Sequence, residues 1–168
     1  MRIRKGLYVL LVCFAASVAA QADSKGVKLL SRADQLAWRG NWPKAGPLYA
    51  QAEEEFNQVG DSKNALKATL GRIRSRMQNA PSTTLTEELD RELTNPVLDT
   101  DPQLKIRAMA YKGDIAHQCD LWAAREAWEE VLSLSKASGD KAWEGRALGE
   151  LGVQTVTALF SNRGLCDL

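Results

Sequence analysis

One histidine in 168 residues leaves little material for acid–base or nucleophilic chemistry. His117 stands two positions from Cys119, and residues at i and i+2 of a helix point apart, so the pair does not make a nucleophile and its base. Three cysteines, Cys13, Cys119 and Cys166, are too few for a disulfide-built scaffold and fit neither a zinc spacing nor a redox spacing. Twenty-two basic residues against 21 acidic ones give no strongly signed field, which excludes the basic footprint of a nucleic-acid binder. No stretch alternates at period two for long enough to build a sheet, and nothing glycine-rich has the form of a phosphate loop. No cofactor or metal is implied. The expected product has no catalysis of its own.

The one long apolar run lies at the start. MRIRKGLYVLLVCFAASVAAQADSK has a basic opening (Arg2, Arg4, Lys5), an uncharged segment from Gly6 to Ala20, and Ala20-Gln21-Ala22 before Asp23. That layout predicts a secretory signal peptide over residues 1–22, cut after Ala22. The run is shorter than the roughly 20 residues of a spanning helix, and Val12 before Cys13 does not suit a lipid-modification site. Removing three bases takes a chain of net charge +1 to −2. With no second apolar run able to span a bilayer, the mature chain, residues 23–168, is expected to be periplasmic or secreted.

What the remainder does contain is a repeat. GNWPKAGPLYAQAEEEFNQVGD, residues 40–61, aligns without a gap on CDLWAAREAWEEVLSLSKASGD, residues 119–140, and both end in Gly-Asp. Such an ending is punctuation: glycine takes the left-handed conformation past a helix end, and aspartate caps the next helix. Thr100-Asp101-Pro102 is a third restart, with proline at the first helical position. Asp61, Asp101 and Asp140 are 40 and 39 residues apart. Seven residues after each comes an alanine (Ala68, Ala108, Ala147) preceded by a base (Lys67, Arg107, Arg146), and twelve after come Ile73, Gly113 and Gly152.

These marks predict helices at about 25–39, 42–59, 62–78, 84–95, 102–118, 121–138 and 141–160, an all-α chain of three and a half helix pairs. Pro47, about one turn into the second helix, is expected to distort that turn. Four of the five tryptophans (Trp42, Trp122, Trp128, Trp143) fall at stripe or repeat positions that packing explains; Trp38 does not, which makes it a candidate contact residue.

Ala33, Gly40, Trp42, Ala45, Tyr49 and Ala52 follow, position for position, the small–glycine–aromatic–alanine–aromatic–alanine pattern of the tetratricopeptide repeat, which the chain resembles. Gly113, Leu121, Ala124 and Trp128 continue it; the middle pair keeps only Leu85 and Leu89. The resemblance implies a right-handed superhelix of the longer-helix kind, whose first helices line a groove that holds a protein or peptide. On that reading Lys67, Arg107 and Arg146, with Arg74, form a basic ladder suited to an acidic segment, set against the alternative of a solvated basic helix balanced by Glu87, Glu88, Asp90 and Glu92. The asparagines of the family's two-carboxylate clamp are not matched.

Parallel first helices would bring Cys119 and Cys166 to the same end, so a disulfide between them stands open beside free thiols. Gly145, Gly149 and Gly152 form a close-packing edge on the last helix, whose Val153, Val156, Leu159 and Phe160 leave it apolar. That helix is either a terminal cap, a self-association surface, or a join to further sequence. In the last case the chain is the regulatory front of a larger exported enzyme, protease-like or sensor-kinase.

Overall fold

The computed structural model describes residues 25–160, with side chains to residue 156. The protein is all-α: among the described residues every regular element is a helix. The signal-peptide expectation for residues 1–22 and the Cys166 end of the disulfide expectation lie outside the described residues. No described helix is long and apolar enough to cross a membrane. The chain divides into two compact units, residues 1–75 and 76–168.

The first unit holds α1 (residues 25–38), α2 (Trp42–Val59) and α3 (Ser62–Ser75). Its helices stop the way the sequence punctuation requires. Gly40 and Gly60 adopt φ of 72° and 75°, a left-handed conformation that costs glycine no Cβ clash. The residue after each glycine then donates its N–H back to a carbonyl five positions earlier: Asn41 to Leu36 at 2.9 Å, Asp61 to Phe56 at 3.0 Å. Asp61 restarts the chain by accepting the Asn64 N–H at 3.0 Å.

Burial follows the helical stripe. Leu30, Ala33, Ala45, Tyr49, Ala52, Phe56, Ala65 and Ala68 form one apolar cluster, flanked by the half-buried Leu36, Leu48 and Trp42. The alanines let helices approach closely and the rings fill the space beside them. The fit is tightest at Gly71, where an added Cβ would lie 2.5 Å from Cε1 of Tyr49. Leu66, Leu70 and Ile73 of α3 are buried as their spacing predicts. α2 continues across Pro47; its N-terminal flanking residue, Asn41, has φ −87°, ψ 61° and no side-chain cap bond.

The second unit holds α4 (Ser82–Leu93), α5 (Val97–Thr100), α6 (Pro102–Ala116), α7 (Leu121–Ser138) and α8 (Lys141–Phe160). α3 ends three residues before the expected position 78, α4 begins and ends two residues early, and the single turn α5 was not anticipated. Two Asx-Pro breaks, at Asn95-Pro96 and Asp101-Pro102, leave room for only that turn, which carries the buried Leu98. Asp101 caps α6 through the Leu104 N–H, and Asp120 caps α7 through the N–H groups of Trp122 and Ala123. Gly139, with φ 72°, repeats the stop seen in the first unit, and Asp140 N–H returns to Ser135 at 2.9 Å.

Ile106, Met109, Ala110, Ala127, Trp128, Val131 and Ala147 form the core of this unit. Ala108 and Ala147, at the repeated seventh position after a capping aspartate, are both fully buried, as is Ala68 in the first unit. Trp128 lies against Gly113, so that any Cβ there would run into the indole. Trp122 corrects the sequence reading: it is 81% exposed. It sits in the first turn of α7 on the side of Arg125 and Glu129, away from the inward stripe of Ala124, Trp128 and Val131.

Candidate functional site

An open depression of about 550 Å³ lies on the first unit, lined by Val27, Leu30, Ser31, Asp34, Gln35 and Trp38 from α1, by Arg39 just past its end, and by Asn64 and Lys67 from α3. The lining residues of α1 recur every three or four positions, so they occupy one side of that helix. α2 contributes nothing to the lining.

The floor is held by a carboxylate. Asp34 accepts the Tyr49 hydroxyl on Oδ1 at 2.7 Å and faces Lys67 Nζ from Oδ2 at 2.9 Å. Tyr49 is fully buried, so its hydroxyl has no water to turn to and Asp34 supplies the acceptor. Lys67 is about a third exposed, and an ammonium has three N–H donors, only one of which the Asp34 contact uses. Asn64 is tied to Asp61 through both its backbone and its side-chain N–H, at 3.0 and 2.7 Å.

Above this floor the rim is bare. Trp38 is 88% exposed, the largest exposure of any large apolar side chain among the described residues. Arg39 beside it is exposed. Two cations, Arg39 and Lys67, and one anion, Asp34, leave the lining with a net charge of +1.

The other bases singled out in the sequence are engaged within their own units. Arg74 stacks its guanidinium 4.5 Å from the Trp42 ring, joining the end of α3 to the start of α2. Arg146 lies 5.2 and 5.1 Å from the rings of Trp128 and Trp143 and 3.3 Å from Asp114. Arg107 is half-buried on α6. Two further bases, Arg72 and Arg76, form ion pairs with Glu53 and Glu88. The depression therefore gathers Lys67 and Trp38 from the sequence candidates; Arg74 belongs to the same unit but not to the lining, and Arg107 and Arg146 belong to the other unit.

Asp34, Gln35, Arg39 and Asn64 were not identified from sequence. A signal was there for Asp34: Tyr49 was read as a core ring, and a core tyrosine demands an acceptor for its hydroxyl. His117 stands at the C-terminal cap of α6, and Cys119 is an exposed thiol in the turn that follows. Among the described residues no group of three or more His, Cys, Asp or Glu side chains is arranged to hold a metal ion. No protein-family model matches the chain, and no curated protein or solved structure matches it.

Proposed function

We propose that the protein is an exported, tetratricopeptide-like interaction module that holds a segment of another protein on its first helices, without catalysis. The observation that carries this reading is the depression between α1 and α3, with Trp38 at its rim and Lys67 on its floor. An indole left in water forgoes several kcal/mol, at roughly 25 cal/mol per Å² over roughly 150–250 Å² of aromatic surface. A partner that covers it recovers that energy.

The chemistry of the partner follows from the lining. Val27, Leu30 and Trp38 suit an apolar side chain, while Arg39 and the unused donors of Lys67 suit a carboxylate. An acidic segment carrying an apolar or aromatic residue meets both demands. The repeated Gly-Asp punctuation and the alanines buried at a step of 39 to 40 residues support the repeat-protein part of the reading.

Affinity capture from an extracytoplasmic extract tests it, comparing the native chain with Trp38→Ala and Arg39→Glu. Both positions are exposed, so both variants should melt with the native chain. The expected result is a partner retained by the native chain and lost by both; partners held equally by all three would discard the depression as the docking surface. Export is tested by sequencing the N-terminus of the secreted product, which should begin at Asp23.

A further inference from the structure

Each unit contains one version of the same contact. Lys67 and Arg146 both stand six residues after a capping aspartate, Asp61 and Asp140. Each faces a carboxylate two helices back, Asp34 of α1 at 2.9 Å and Asp114 of α6 at 3.3 Å. The helix between contributes a buried ring in both units, Tyr49 from α2 and Trp128 from α7.

What differs is the third residue after the aspartate. Its backbone N–H donates to the capping carboxylate in both units, at 3.0 Å from Asn64 and 3.1 Å from Trp143, so the two side chains leave their helices at the same position. Trp143 packs half-buried against the core of its unit, and its ring centre lies 5.1 Å from the Arg146 guanidinium carbon. At that separation the negative face of an indole attracts a cation. Asn64 is shorter, and its amide N–H is tied back to Asp61 at 2.7 Å, so the place the indole occupies in the second unit belongs in the first to the open depression. Trp38, the one ring in the lining, is 88% exposed and does not fill it.

We infer that the partner supplies the missing ring: an aromatic side chain of the bound acidic segment enters the depression and seats against the Lys67 ammonium, as Trp143 seats against Arg146 within the chain. Asp34 holds the ammonium through one of its three N–H donors, so the cation is in position before the ring arrives. Leu30 and Val27 give the edge of the ring an apolar wall. This inference rests on the depression being the docking surface, and narrows its occupant from any apolar side chain to an aromatic one.

Fluorescence anisotropy of the purified chain with labelled acidic peptides, carrying phenylalanine, cyclohexylalanine or leucine at the centre, is the test. Cyclohexylalanine keeps the six-membered ring and loses the π face, so a merely apolar depression would hold it at least as well as phenylalanine. The expected result is that the phenylalanine peptide binds about three- to tenfold more tightly than the cyclohexylalanine peptide, and that Lys67→Met, which keeps most of the stem and removes the charge, abolishes the preference. Asn64→Trp should abolish binding altogether, because it gives the first unit the side chain that the second already carries at this position. If Asn64→Trp melts below the native chain, the Lys67→Met comparison decides alone. Equal affinity for phenylalanine and cyclohexylalanine, or a preference that survives Lys67→Met, would overturn the aromatic seat while loss of binding in Trp38→Ala kept the depression as the docking surface. Binding of none of the peptides, or binding indifferent to Trp38→Ala, would overturn both.

Discussion

The Tyr49 ring lies across Gly71 so closely that a β-carbon on the glycine would come 2.5 Å from Cε1 and 2.6 Å from Cζ. The ring is fully buried and its hydroxyl is anchored on Asp34, so it cannot swing aside. Gly71→Ala should therefore destabilise the protein by about 1–3 kcal/mol through overpacking, although alanine is the better helix former by up to about 1 kcal/mol. Gly113→Ala should behave likewise beneath Trp128 in the second unit. Gly145→Ala, facing open space, should instead stabilise by about 0.5–1 kcal/mol. Urea unfolding midpoints of the three variants give the sign of each effect directly.

Asp34 joins the core to the depression. Tyr49→Phe removes its 2.7 Å bond and should cost about 1 kcal/mol. Asp34→Ala should cost more, about 1–3 kcal/mol, because it strands a fully buried hydroxyl. The double variant should cost less than the sum of the two, and a thermodynamic cycle in urea measures that coupling.

Asp140 gives the stability of the second unit a dependence on pH. Its carboxyl is held below the usual aspartate range, chiefly by the Trp143 backbone N–H, with the Gln103 side chain and the Ala142 N–H adding to the effect. A group whose pKa is lower when folded contributes stability in full above its unfolded value, about 3.9, and loses it as pH falls through the folded value. Asp140→Asn should flatten the fall in melting temperature on acidification through this range, relative to the native chain. Lys25, raised by its hydrogen bond to Glu55, has the opposite sign: its contribution is complete below the ordinary lysine range and lost as pH rises past it.

Gln154 is 4% exposed, and neither polar atom of its amide finds a hydrogen-bond partner among the described residues. Burying an amide without partners costs about 1–3 kcal/mol. Gln154→Leu should raise stability by about 1 kcal/mol or more, seen as a higher urea midpoint with an unchanged slope.

Much of the helical layout was readable from a few residues whose backbone demands are local. Gly60-Asp61 and Gly139-Asp140 announced a stop and a cap, and each does both. Boundaries set by less specific residues drifted: α3 ends at Ser75 because Arg76 to Ala80 turn, and nothing at Met77 or Gln78 forbids a helix. Pro47 does not end α2, which runs on to Val59. The depression was only half visible. Trp38 stood out as a ring without a packing position, but the pairing of Asp34 with Lys67 spans 33 residues, and no local pattern reports it. The four bases looked alike in sequence. Ion partners and tryptophan rings, fixed by tertiary packing, distinguish them.

A flat ring laid on bare backbone also acts as a key. Sliding α3 along α2 by one turn would bring a side chain under Tyr49, and sliding α6 along α7 by one turn would do the same under Trp128, so each glycine opposes that slip of its helix pair. Alignment guarded at one point frees the rest of each contact to vary. Substitutions elsewhere along these helices can then change the outer surface, and with it whatever the protein touches, without letting the helices slip.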